Sequence, residues 1–144
     1  MREEKSCGAV VYTRNGGEIS FVIIESKEGY YGFPKGHVEE GESELETAWR
    51  EVFEETSLQV EIRDDFRIED SYTFMRKGEL ILKRVVYFLA EFSNQAPVAE
   101  ESELKSVHLM TFSDALSSLQ FESARRILIE TNKYLLAQTD FISF

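Results

Sequence analysis

Two apolar, β-branched runs open the chain, Cys7 to Thr13 and Ile19 to Glu25, and Asn15-Gly16-Gly17 between them supplies residue types suited to a tight reversal. That pattern predicts a β-hairpin. A loop through Pro34-Lys35-Gly36 follows, and then the period changes: Leu45, Trp49, Val52 and Phe53 recur at helical spacing from Glu44 to Thr56, about four turns. Ser43 with Glu46 fits a capping box at the start of that helix. Strands are expected at residues 59–63 and 66–75, a turn at Lys77-Gly78, and a long strand at 79–92. Residues 94–103 read as a polar loop and 107–112 as another strand. Ser113-Asp114 then signals a helix start, and residues 124–138 carry Ile127, Leu128, Tyr134, Leu135 and Leu136 broadly on a helical period. No repeat or linker interrupts the chain, so residues 1–144 read as a single domain of mixed α+β class.

The helix at 44–56 carries the strongest chemical signal. At roughly 100° per residue, Glu44, Glu51, Glu54 and Glu55 gather on the side away from the apolar stripe, with only Arg50 beside them as a neutralising charge. A solvated helix face is the ordinary explanation of such a cluster. Two details weigh against it here. Like charges one turn apart cost roughly 0.3 kcal/mol per pair, and Glu54 and Glu55 lie near the C-terminal end, where the helix dipole disfavours anions. Carboxylates held together in this way suit a divalent cation, and an all-oxygen ligand set favours Mg²⁺ or Mn²⁺.

The same residues carry a resemblance. Gly36, Glu42, Arg50, Glu51, Val52, Glu54, Glu55 and Leu58 match the Nudix box, which here covers 23 of 144 residues. Ser57 departs from it, standing where the family usually has a glycine that ends the helix in a left-handed conformation, at a cost of about 1 kcal/mol. Around the box, the segments S-C-G-A-V-V-Y, P-K-G-H-V-E, V-V-Y-F-L-A-E-F and E-L-K-S-V-H-L look most like the asymmetric dinucleoside tetraphosphate hydrolases of that family. The resemblance implies a Nudix-type α/β/α sandwich with a mixed sheet.

It also implies site residues. Gly36, Glu51, Glu54, Glu55 and Glu103 would bind the Mg²⁺ or Mn²⁺ ions, and either Glu54 or Glu103 would take the proton from the attacking water. Arg50 would orient a carboxylate through a charge-assisted fork, with a purely structural salt bridge as the alternative. Lys35 and Lys83 would meet phosphates, or serve as ordinary solvated lysines. Tyr87 and Phe121 would face a nucleotide base, or simply fill a core. His37 reads as structural or peripheral rather than as a general base. The implied activity is hydrolysis of a nucleotide or dinucleoside polyphosphate, with ADP-ribose, nucleoside triphosphates, RNA 5′ ends and inositol pyrophosphates sharing the scissile group, and a nucleotide-sensing module without activity as a rival.

Charge narrows the partners. With 27 acidic against 16 basic residues, a formal net charge of −11 argues against a general nucleic-acid or membrane surface, so a polyphosphate would arrive as a metal complex. One cysteine, Cys7, excludes an internal disulfide and suits a reducing compartment. No apolar run reaches the ~20 residues of a membrane span. A cytoplasmic protein, monomer or homodimer, is the expectation.

Overall fold

The computed structural model describes the backbone of residues 1–142 and side chains through residue 138. Continuous apolar runs, buried on both faces, build the two longest central strands, β1 (Arg2–Asn15) and β6 (Glu79–Glu91), which pair in parallel from Arg2↔Ile81 to Tyr12↔Glu91. The other pairings are antiparallel: β1 with β2 (Glu18–Ser26), β6 with β5 (Glu61–Arg76), and β2 with both β3 (Tyr31–Gly32) and β7 (Leu104–Met110). A three-residue strand, β4 (Lys35–His37), pairs with β1 through Ser6↔His37 and Gly8↔Lys35. Among the described residues this makes one mixed sheet of seven strands.

Helices cover both faces. On one side α1 (Glu44–Thr56) sets Ala48 and Val52 against Cys7, Ala9, Val11, Val22 and Val86. On the other, α2 (Phe112–Ser118) and α3 (Glu122–Ile142) bury Ala115, Ile127, Leu128 and Leu135 against Val10, Tyr12, Ile23, Tyr87 and Leu89. The result is the α/β/α sandwich, of α+β class, that the resemblance implies.

Several boundaries differ from the sequence reading, among them the last helix, which runs from Glu122 to Ile142 rather than over 124–138. The first strand begins at Arg2 rather than Cys7, because polar residues 2–6 pair with β6 while two of them, Glu4 and Ser6, line a cleft. The two strands expected at 59–63 and 66–75 are one strand, β5, whose register shifts between Arg63 and Arg67. This bulge absorbs the polar Asp64-Asp65 pair that looked like a break. The Pro34-Lys35-Gly36 loop contributes Lys35 and Gly36 to β4. Finally β7 starts at Leu104, and Phe112 already belongs to α2, capped by Thr111 rather than by Ser113-Asp114.

The largest correction concerns α1. Its capping box is present, with Ser43 accepting from the Glu46 backbone. Its orientation is reversed. Leu45, Trp49 and Phe53 are 38%, 42% and 41% exposed, while Thr47, Ala48, Glu51, Val52, Glu55 and Thr56 are buried. The carboxylates of Glu51 and Glu55 therefore face the sheet, not solvent. Trp49 stacks on Phe53 with ring centroids 5.6 Å apart, and its indole N–H donates to the Val60 carbonyl.

Candidate active site

Glycine makes the inward turn of these acids possible. A Cβ placed on Gly36 would lie 2.0 Å from the carboxyl carbon of Glu51, so the bare backbone of β4 is what leaves room for that group. Glu55 packs beside it and accepts a hydrogen bond from the Lys35 backbone N–H at 2.9 Å. Behind β4, a Cβ on Gly8 would meet the Pro34 carbonyl oxygen at 2.0 Å, so a second glycine sets how closely the Pro34-Lys35 segment approaches β1. Burial pushes the Glu55 carboxyl up to about 8, and the charges of Glu51 and Glu103 add to the rise. Glu51 is also raised, chiefly by burial, with Glu54 and Glu103 contributing.

Arg50 is the hub of the surrounding network. Its guanidinium donates to Glu42 at 2.6 and 3.0 Å, to Glu51 at 2.7 Å, to Glu54 at 3.2 Å and to the His37 carbonyl at 3.0 Å. Glu42, further held by Thr47 Oγ1 and the Glu39 backbone N–H, titrates at about 2, with the Arg50 hydrogen bond as the main cause. It stays anionic and anchors Arg50. The Glu42 match to the box carried no role in the sequence reading, although its spacing to Arg50 was visible.

Glu103 reaches the site by helix-end chemistry. The last carbonyls of an α-helix lack partners within it, and here the loop after β6 supplies them: Val98 N–H donates to the Thr56 carbonyl and Glu100 N–H to that of Glu55. Glu103 and Leu104 N–H both turn back on the Glu100 carbonyl, which sets Glu103 within electrostatic reach of Glu51 and Glu55. Ser57 ends the helix at φ 65°, in the left-handed conformation where the family usually has glycine.

The remaining residues separate. Glu44 leaves the acidic group for a bidentate pair with Arg67, both distances 2.9 Å. Lys35 and Lys83 share a cleft of about 370 Å³ with Glu4, Ser6, Gly36, His37, Tyr72, Phe74 and Arg76. Lys83 is 7% exposed, and its burial lowers the ammonium to about 8. Tyr87 is a core residue, edge-on to Phe33 at 5.5 Å, and Phe121 is exposed against Tyr30 at 5.3 Å. Neither ring lines the cleft. Glu4, Tyr72, Phe74 and Arg76 escaped the sequence reading because only strand pairing brings them together.

Do these residues suit a divalent cation? Among the described residues no three His, Cys, Asp or Glu side chains are gathered into a ready cage. Yet Glu51 and Glu55 are 9% and 7% exposed, repel one another, and have an all-oxygen donor set. Buried acids of that kind, with Glu55 receiving no bond from the shared Arg50 guanidinium, fit a hard cation.

A mixed sheet between helices, with a glutamate-rich helix under a glycine, defines a class: the chain belongs to the Nudix family, whose NUDIX domain model matches residues 4–131. It is a hydrolase of phosphoric anhydride bonds. It is similar to the asymmetrical bis(5′-nucleosyl)-tetraphosphatases of Rattus norvegicus, 29% identical, and Sus scrofa, 30% identical, each over 91% of this chain and 95% of the relative. The crystal structure of a C. elegans Ap4A hydrolase binary complex superposes with a TM-score of 0.80 at 26% identity, covering 93% of this chain and 98% of that one. The NUDIX domain of Shewanella oneidensis NrtR, complexed with ADP ribose, shares the fold at a TM-score of 0.74 and 17% identity, over 94% of this chain and 90% of that one.

Proposed function

We propose that this chain is a Mg²⁺- or Mn²⁺-dependent hydrolase that cuts dinucleoside tetraphosphate asymmetrically, into nucleoside triphosphate and monophosphate. The observation that carries it is the buried pair Glu51 and Glu55 under Gly36, separated only by β4 from a cleft rich in lysine and arginine. Relatives carrying that activity in their names support the substrate. A single domain spanning residues 1–144 and a cytoplasmic setting are part of the same reading, consistent with one cysteine and with no described helix long and apolar enough to cross a membrane.

Glu51, Glu54, Glu55 and Glu103, with the Gly36 backbone, would hold the cations. Bound there, they would screen the phosphates and make water a stronger nucleophile. Arg50, anchored by Glu42, fixes the Glu51 and Glu54 carboxylates in direction. Glu54 and Glu103 are the candidates to accept the water's proton: Glu54 has a half-exposed side chain and Glu103 is exposed, so either is open to solvent. Lys35 and Lys83 bind phosphate oxygens as point charges. Tyr30 and Phe121, an exposed aromatic pair, offer a base a stacking surface.

A substrate panel with Mg²⁺ or Mn²⁺ tests the reading. Dinucleoside tetraphosphate should turn over faster than ADP-ribose and nucleoside triphosphates. Equal or slower hydrolysis of the tetraphosphate would remove the substrate assignment while leaving the family intact.

A further inference from the structure

The cleft beside β4 inverts the charge of the molecule. In a chain of net charge −11, its lining presents Lys35, Arg76 and Lys83, with His37 besides, against a single carboxylate, Glu4. That carboxylate is already committed. Its oxygens meet Arg76 Nη1 at 2.6 Å and Nη2 at 3.2 Å, and His37 Nε2 lies 3.8 Å from one of them. Lys83 pairs across the strands with Glu4 on one side and Tyr72 on the other, yet no hydrogen bond or ion pair to its ammonium occurs among the described residues. A lysine 7% exposed, held by no direct ion pair and offset only by the field of Glu4, costs stability, and an incoming anion would offset that cost.

Resting on the polyphosphate reading above, we propose that Arg76 is a further phosphate-binding residue and that Glu4 is its stand-in ligand, occupying the guanidinium until a polyphosphate chain displaces it. The geometry of exchange is direct, because a carboxylate and a phosphate engage the same two-pronged face of a guanidinium. Arg76 occupies the last pair before the Lys77-Gly78 turn and lies over the Phe74 ring at 5.1 Å. That ring backs the guanidinium, which already lines the cleft, so the exchange of Glu4 for a phosphate takes place at the cleft wall. Released, Glu4 keeps His37 beside it. Competition of this kind sets a threshold: a short anion reaching only Lys35 and Lys83 leaves the Glu4–Arg76 pair closed, whereas a longer chain engages Arg76 and opens it.

Isothermal titration calorimetry of the intact protein with inorganic pyrophosphate and inorganic tetraphosphate, without divalent cation, reads this separately from hydrolysis. Glu4→Gln should tighten tetraphosphate binding about tenfold, the scale of one charge-assisted hydrogen bond, and leave pyrophosphate unchanged. Arg76→Ala should weaken tetraphosphate about tenfold and erase its advantage over pyrophosphate, and Arg76→Lys, which keeps the charge and loses the fork, should fall between. Equal effects on both anions, or tetraphosphate binding indifferent to Glu4 and Arg76, would overturn the proposal. If these shifts appear while dinucleoside tetraphosphate resists hydrolysis, the substrate reading fails and the anion site stands.

Discussion

Replacing Gly36 by alanine is the sharpest structural perturbation the site offers. The added carbon would lie 2.0 Å from the Glu51 carboxyl carbon and 2.2 and 2.3 Å from its oxygens, against an ordinary contact of 3.4 Å, so that group has to retreat by about 1.4 Å. The three nearest atoms all belong to the far end of one flexible side chain, and Gly36 holds no positive φ, so the fold should absorb the change. Function does not. Misplacement of a ligating or catalytic group by about 1 Å costs on the order of 100-fold, ~2.7 kcal/mol in the barrier. Steady-state kinetics with dinucleoside tetraphosphate and Mg²⁺, alongside thermal denaturation, separates the two effects. The expected result is kcat reduced about 100-fold or more with a melting temperature within about 2 °C of wild type. Wild-type kcat in a folded Gly36→Ala protein would refute the placement of Glu51 in the reacting centre, and loss of the fold would refute the claim that the clash is local.

Ser57→Gly should raise stability by about 1 kcal/mol in urea titration with activity unchanged, since Ser57 holds φ 65°. Lys83→Met should stabilise the free protein at neutral pH while raising KM. Lys83 titrates at about 8 when folded against the ordinary 10.5, so its penalty is complete below pH 8 and fades as pH climbs to 10.5; the stability gap to Lys83→Met should narrow over that window in denaturant titrations. Glu54→Gln and Glu103→Gln distinguish the two base candidates: the variant that loses the acidic limb of the kcat profile marks the base. Chelation by EDTA should abolish turnover, with recovery on adding Mn²⁺.

What was legible in the sequence follows a physical line. The hairpin turn, the capping box and the helix limits of α1 were readable because each is a local pattern; the helix limits and cap stand as read, and the hairpin is present with longer strands than expected. The helix orientation was misread because the buried face of α1 includes the acids Glu51 and Glu55, which remove the apolar signal from the side that packs and leave Leu45, Trp49 and Phe53 as a false core stripe. The start of β1 was hidden for a similar reason: Glu4 and Ser6 face a polar cleft and so carry no apolar signal. Contacts that depend on register, such as Arg76 with Glu4 across 72 residues, leave no trace in any window of the chain. Spacing did reveal the box, and with it Gly36, Glu51, Glu54 and Glu55.

The central claim is that acids are buried on α1 to receive divalent cations. Thermal denaturation across a Mn²⁺ titration, on wild type and on a Glu51→Gln/Glu55→Gln protein, addresses it without relying on any substrate. Wild type should gain about 2.7 kcal/mol of stability when Mn²⁺ exceeds its dissociation constant a hundredfold, and the double variant should gain almost nothing. A wild-type protein indifferent to Mn²⁺, or an equal gain in both proteins, would contradict the account.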